Sequence, residues 1–268
     1  LGDLIKNNNF TGLSKAFETD KLEELLEEAS TKTGRQAKWT QKKSFAPSSF
    51  YTYGNGVCPR YWYYAFNGAN FEYENTARQR ANMDSGTAAG ERIADLFDKA
   101  GILNAAEVEV KYDDPPIYGF MDLAVTWQGE EMVGEVKTTT AEAFAKRAAA
   151  MKAPGYQLIQ LLIYMYVFKK EKGFFVTENK NTHELLIIPV KMTESNKQLI
   201  ERVFEWMRTV HDNAVNGELP KRPFTKSSFN CKGCPVRSTC WEGYKRGSVN
   251  GHDPAPGIVD LPPLEVPK

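Results

Sequence analysis

Asp122, Glu135 and Lys137 are the side chains whose types and spacing best suit shared chemistry. They stand in G-F-M-D and G-E-V-K, with twelve residues between the aspartate and the glutamate and one between the glutamate and the lysine. Gln128-Gly129 reads as a two-residue hairpin turn between them. With that turn Trp127 pairs with Glu130, and counting outward sets Asp122 opposite Glu135. Opposed residues share a sheet face, their β-carbons about 4.5–5.5 Å apart, and Lys137 lies two residues further along that face. Two carboxylates and an ammonium would then converge. Paired carboxylates suit a hard divalent cation such as Mg2+ or Mn2+, which polarises a phosphoryl oxygen and makes water nucleophilic. The lysine would orient the water and offset developing charge. The same residues could form a cross-strand salt bridge on a wetted sheet face, and exposed pairs of that kind are common and weak. A one-residue slip in register would send Asp122 to the other face.

The cysteines form a second constellation. Cys231, Cys234 and Cys240 give C-x2-C-x5-C, and Cys58 stands far upstream. Three clustered thiols and one distant partner can close a four-thiolate site joining the two ends of the chain, and closing so long a loop is stabilising in principle. Spacing allows structural zinc or an iron–sulfur cluster. Four cysteines in a chain of 268 residues do not make a disulfide framework.

These residues must be carried by ordered elements. The spacing predicts strands over 107–111, 117–127 and 131–138, and another pair over 173–176 and 184–190. Helices are expected over 83–100, with Ile93, Leu96, Phe97 and Ala100 as its apolar face and Gly101 as its cap, and over 141–151, 156–168 and 194–213. Residues 44–49 read as a loop leading into a helix. The aromatic run Tyr61, Trp62, Tyr63, Tyr64 and Phe66 fits either a core-packing segment or a base-stacking surface. Leu22, Leu25, Leu26 and Ala29 make an amphipathic stripe. Alternating helices and strands indicate an α/β domain. Residues 1–43 are expected to form a helical extension and 44–246 the main domain. The stretch 247–268 holds five of the 14 prolines and is expected to be extended or disordered. His183, His211 and His252 are read as surface residues.

Composition sets bounds on these readings. Hydrophobic residues are 41% and charged residues 25%, as in a globular protein. The longest apolar stretch, 158–168, is too short for a membrane span, which needs about 20 residues. With no leader visible, a cytoplasmic location is expected. Lysines and arginines number 34 and so do the acids, which excludes a uniformly basic nucleic-acid binder but not a local basic stripe. Residues 18–28 hold six acids and one lysine, whereas 221–246 hold seven basic residues and only Glu242.

Taken together, G-F-M-D and G-E-V-K resemble the catalytic motif of the PD-(D/E)XK nuclease superfamily. The resemblance is to its RecB-like, Cas-four-type iron–sulfur exonucleases, including phage members. Gln160 and Tyr164 match the Gln-x-x-x-Tyr motif of that group and, being four apart, share one helix face. The chain departs from the group at Gly86-Thr87-Ala88-Ala89-Gly90, where Gly90 stands in place of a metal-binding histidine. The resemblance implies a central mixed sheet flanked by helices, with an iron–sulfur region joining N- and C-terminal segments. It implies that Asp122, Glu135 and the Val136 carbonyl bind Mg2+ or Mn2+, that Glu91 supplies the missing ligand, and that Lys137, Gln160 and Tyr164 serve the reaction. It implies a 4Fe–4S cluster on Cys58, Cys231, Cys234 and Cys240, and DNA, as single strands or ends, as substrate. Arg60, Lys232 and Arg237 would track the DNA backbone. The expected setting is recombination, repair or replication, with a recombination, helicase or CRISPR-adaptation partner. A catalytically weak DNA-binding protein in such a complex is the alternative.

Overall fold

The structure is a computed structural model that describes residues 19–32, 41–50, 57–72, 76–242 and 259–264. The chain divides into two compact units, one of residues 1–36 and 73–87, the other of 37–72 and 88–268. The first holds helix α1 (Thr19–Lys32), whose Leu22, Leu25 and Leu26 are exposed, and the opening turns of a longer helix. Everything below concerns the second unit. The histidine at 252 lies outside the described residues.

Five strands form one mixed sheet in the order β1 (Leu103–Tyr112), β2 (Ile117–Trp127), β3 (Glu130–Thr139), β4 (Lys172–Asn179) and β5 (Leu185–Lys191). Only β3 and β4 run parallel. The crossover between them is helical: α4 (Ala141–Ala150) and then α5 (Gly155–Val167). Such a crossover is what a parallel pair requires. The remaining helices are α2 (Pro59–Phe66), α3 (Ala77–Lys99), α6 (Glu194–Asn216) and two short ones, α7 (Phe229–Lys232) and α8 (Arg237–Trp241). Thr140 caps α4 and Thr193 caps α6 through their hydroxyls, which accept from Ala143 and Asn196 N–H groups.

Side chains alternate across β4 and so feed two cores. Phe174 and Val176 join Leu123, Val125 and Ile93 of α3 in one apolar cluster. Phe175 joins the larger cluster beneath α2, α5 and α6, with Phe45, Trp62, Ile159, Leu162 and Phe204. Helix α5 is buried along nearly its whole length, as its apolar sequence demands. The aromatic run of α2 belongs to the core: Tyr61, Trp62 and Phe66 are buried, and Trp62 packs 4.6 Å from Phe45. It is no stacking surface for bases.

Three expectations need correction. Helix α3 begins at Ala77, six residues earlier than expected, and its Leu96 and Ala100 are exposed, so Ile93, Ala94 and Phe97 carry that end of its apolar face. The segment 44–49 leads into a single 3-10 turn, Pro47–Ser49, without a side-chain cap. Part of the C-terminal stretch is seated on the body. Val259 bridges Pro220, Leu261 and Leu264 pack against the core, and Pro262 accepts a hydrogen bond from Trp206 Nε1 at 3.1 Å.

Gly134 lies where β3 must pass under a ring. A β-carbon there would meet Phe174 Cζ at 2.6 Å and Leu123 Cβ at 3.0 Å. Gly134→Ala is therefore expected to destabilise the fold by about 1–3 kcal/mol, the usual cost of overpacking. A denaturant midpoint no lower than that of the unaltered protein would contradict this.

Candidate functional site

Strands β2 and β3 start as partners and then part. From the Gln128-Gly129 turn the ladder runs Trp127 with Glu130 through to Leu123 with Gly134, and stops. Beyond that rung β2 stays paired with β1 down to Ile117, and β3 stays paired with β4 up to Thr139. A wedge opens between them, and α5 runs beneath it. Asp122 and Glu135 are the first residues past the last rung. They are in the expected register but are not ladder partners, because the strands have already separated. The Val136 N–H has lost its place in the ladder and donates to Asp122 Oδ2 at 2.7 Å.

Glu135 is almost wholly buried. Its Oε1 accepts from Lys137 Nζ at 2.5 Å and from Gln160 Nε2 at 2.6 Å. Its Oε2 is buried without any partner. Burial pushes the Glu135 carboxyl up to about 8; the Asp122 charge adds to the rise and Lys137 opposes it. An orphaned carboxylate oxygen beside a second carboxylate is a costly arrangement in a folded interior. It is the arrangement that a cation would relieve. Gln160 Nε2 also reaches Tyr164 Oη at 3.4 Å, so both helix residues face the wedge as their spacing implied. Burial, and then the charges of Glu135, Asp122 and Glu107, hold the Tyr164 phenol well above its usual range.

Glu107 is the residue that sequence reading missed. In the β1–β2 register it faces Asp122, between the rungs Ala106 with Leu123 and Val108 with Met121. Its carboxyl is raised by burial and then by the charge of Asp122. Its φ is 50°, a left-handed conformation that non-glycine residues rarely adopt. Counting outward through the second hairpin, as was done for the first, would have found it.

Glu91 does not fit the role expected of it. Ala89 and Ile93 are the buried residues of α3 at this level, and Glu91 is exposed. At about 100° per residue it lies on the helix side opposite the buried pair. Gly90 has open space where a β-carbon would stand. Two residues on, Arg92 forms a two-pronged pair with buried Glu178 at 2.5 and 2.7 Å, and His183 Nδ1 lies 2.7 Å from the same carboxylate. His183 is thus a partner of Glu178, although its side chain is largely exposed.

All four cysteines are free and half-buried. Cys58 precedes α2, Cys231 lies in α7, Cys234 follows it and Cys240 lies in α8. Burial raises the Cys58 thiol, and the charges of Cys234, Cys240 and Cys231 add to that, so the four are neighbours. Burial likewise pushes Cys234 up to about 12. Cys240 is raised by burial against the pull of Arg60 and Arg222. Among the described residues, no group of three or more histidine, cysteine, aspartate or glutamate side chains is gathered tightly enough to hold a single metal ion.

Arg60 was expected to follow a DNA backbone. It is 1% exposed, donates to the Pro220 carbonyl at 2.7 Å and to Tyr64 Oη, and stands beside Cys240. Being buried, it cannot meet DNA from solvent. Lys232 is exposed, and Arg237 is half-buried near the Lys226 carbonyl. Among the described residues no helix is long and apolar enough to cross a membrane.

Comparison with known proteins agrees with this geometry. The solved structure of LHK-Exo in complex with dAMP is similar at 13% identity and a TM-score of 0.51, over 65% of this chain and 91% of that one. The alkaline exonuclease LHK-Exo from Laribacter hongkongensis gives 11% identity and a TM-score of 0.47, over 65% and 90%. The first of these shows a shared fold. No curated protein matches the sequence. The family model described as the PD-(D/E)XK nuclease superfamily matches residues 69–241, which takes in the whole sheet, the wedge and the cysteine trio. The chain belongs to the PD-(D/E)XK nuclease superfamily.

Proposed function

We propose that this protein is a metal-dependent DNA exonuclease that hydrolyses phosphodiester bonds at the β2–β3 wedge, on single strands or DNA ends. The observation that carries the reading is the unpartnered, buried Oε2 of Glu135 beside Asp122. Mg2+ is commonly bound through one or two carboxylates together with substrate phosphates, and this donor set fits it. Asp122, Glu135 and the Val136 carbonyl would hold Mg2+ or Mn2+, with Glu107 as the neighbouring carboxylate in place of Glu91. When bound, such a cation supplies Lewis-acid polarisation of the scissile phosphate and a more acidic water.

The chain's own residues do the rest. Asp122 is fixed by the Val136 N–H. Lys137 keeps Glu135 company in the resting site and is placed to orient a water or offset charge on the phosphate. Gln160 holds Glu135 Oε1, and Tyr164 holds Gln160. Lys232 and Arg237 would meet the DNA backbone, so binding should weaken steeply with salt. The likeness in fold to LHK-Exo, solved in complex with dAMP, supports a DNA substrate.

The four thiols would carry a 4Fe–4S cluster. Burial and one another's charges raise these thiols together, so they are close enough to share a group. Arg222 and Arg60 beside Cys240 would balance its charge. The role is structural, tying α2 to the segment that carries α7 and α8. Cys58→Ala is expected to abolish the visible absorption of the purified protein and to lower its melting temperature by about 10 °C. A colourless unaltered protein carrying zinc would refute the cluster. The setting proposed is cytoplasmic recombination, repair or replication, with a helicase, recombination or CRISPR-adaptation partner.

One observation favours a second reading. With Gly90 open and Glu91 turned away, α3 brings no ligand to the wedge, as a weakly cutting DNA-binding protein of such a complex would allow. The deciding experiment is a time course on 5′- and 3′-labelled single- and double-stranded DNA with Mg2+ or Mn2+. Absence of cutting on all of them overturns the enzyme reading, and the order of products gives the polarity.

A further inference from the structure

We infer that Tyr156 and Arg147 form a subsite for the nucleotide next to the scissile phosphate, the ring stacking on its base and the guanidinium meeting its phosphate. This rests on the nuclease reading above and names the part of the substrate that the site recognises. Helix α5 runs antiparallel to β3. A β-carbon on Gly173, which pairs with Val133, would meet Met165 Sδ at 2.8 Å, whereas Gln160 reaches Glu135, two residues further along β3. Stepping back along the helix therefore moves up the strand. One more turn brings Tyr156 level with Lys137, about 6 Å along the helix from Gln160. Being four residues apart, Tyr156 and Gln160 share one side of α5. Gln160 is buried, but Tyr156 is 43% exposed. The row Tyr164, Gln160, Tyr156 thus climbs from the buried floor of the wedge out to solvent.

Arg147 approaches the ring from the other helix of the crossover. It lies in α4, is half-buried, and has no carboxylate partner among the described residues. Burial draws its guanidinium down, and the nearby Tyr156 hydroxyl counters that. Gln157 Nε2 donates to the same hydroxyl at 3.4 Å and steadies the tip of the ring. A half-buried cation without a counter-charge is unfavourable, and an anion seated beside it would relieve it. Between residues 138 and 168 the charged side chains are Glu142, Lys146, Arg147 and Lys152. Glu142 is already paired with Lys146 at 2.6 Å. The crossover beside the wedge therefore presents net positive charge, in a chain whose total is zero.

The pairing of ring and cation decides between occupants. An acidic peptide or a small anion would use Arg147 but leave the Tyr156 ring in water. A flat aromatic face beside a guanidinium matches a base and its phosphate. Arginine presents a planar fork that suits phosphate oxygens, and aromatic side chains bind single strands by stacking, with little regard to sequence. Continuity points the same way. The proposed function seats the scissile phosphate at Asp122 and Glu135, one helical turn from Tyr156, so a strand held there carries its next nucleotide past the ring. Bases in an intact duplex already stack on one another, so the subsite suits an unpaired strand or a frayed end.

The test is fluorescence anisotropy in EDTA, where no cutting competes, with a labelled oligothymidylate and an abasic oligonucleotide of the same length. The unaltered protein should bind the base-bearing strand about tenfold more tightly. Tyr156→Ala should lose most of that preference, and Tyr156→Trp should keep it. Arg147→Ala should weaken binding of both strands and flatten the salt dependence by about 0.7 in log Kd per log salt. An unaltered protein that binds the two strands alike overturns the subsite. So does a Tyr156→Ala protein, folded by its melting curve, that keeps the full preference, or an Arg147→Ala protein with an unchanged salt slope. Cutting is read separately. A protein that cuts nothing but shows these losses keeps the subsite and sinks the nuclease. Cutting that disappears in Glu135→Ala, while Tyr156→Ala keeps its preference, does the reverse.

Discussion

Glu135→Ala is expected to reduce DNA hydrolysis by about a thousandfold or more, and Lys137→Ala by about a hundred- to a thousandfold. The two effects should arise differently. Glu135 is the carboxylate with an unused buried oxygen, so under the proposed function its loss would remove a cation ligand and should raise the concentration of Mn2+ needed for half-maximal rate. Lys137 touches Glu135 through Oε1 but is itself partly open to solvent. Its loss should lower kcat with little change in the Mn2+ requirement. Gln160→Ala would free Oε1 of one donor and is expected to act weakly through Glu135. Single-turnover rates across a Mn2+ titration separate these cases. Unchanged hydrolysis in Glu135→Ala would mean that the wedge is not where DNA is cut.

The second large effect concerns pH and metal together. In the metal-free protein the Glu135 carboxyl is raised by burial to about 8, whereas an unfolded glutamate titrates near 4.3. Between those values the folded state holds a proton that the unfolded state has released. Stability from this group is therefore fully present below about 4.3 and is lost as pH rises through about 8. The loss is expected to reach a few kcal/mol, moderated by Lys137. Glu135→Gln, which is neutral throughout, should lack that slope. Under the proposed function a divalent cation would take the place of the proton, so the rise in melting temperature on adding Mn2+ should be larger at pH 8.5 than at pH 5.5. Equal rises at both values would place the ion elsewhere.

The hairpin that carries Asp122 and Glu135 was legible because its signals are local. A two-residue turn fixes register, and register fixes which side chains share a face. The register held at Asp122, but the pairing did not: the β2–β3 ladder ends one rung earlier, at Leu123 with Gly134. Helix α5 could be read from its apolar run, and Gln160 and Tyr164, which share its wedge-facing side, from their four-residue spacing. Glu107 was read as a strand residue, but the register of the β1–β2 hairpin, which sets it level with Asp122, was not counted. Arg60 and Glu91 were misjudged for one reason. Sequence gives the type of a side chain, but which side of a helix is covered depends on what packs there. The core covers Arg60 and leaves Glu91 to solvent. The seat of residues 259–264 could not be read either, since prolines there signal an extended chain but not what it lies against.

That seat has a consequence for the order of folding. Leu264 N–H donates to the Val57 carbonyl, immediately before Cys58. The carboxylates and the lysine come from a short stretch of neighbouring strands, whose hairpins close early because their loops are small. The support of Cys58 is instead a contact between distant parts of the chain, and it cannot form until residues 259–264 have left the ribosome. During synthesis the chain would therefore carry an assembled carboxylate-bearing hairpin before its thiol-bearing ends are clasped. A truncation before residue 259 should reproduce that nascent state, with the wedge intact and the clasp open.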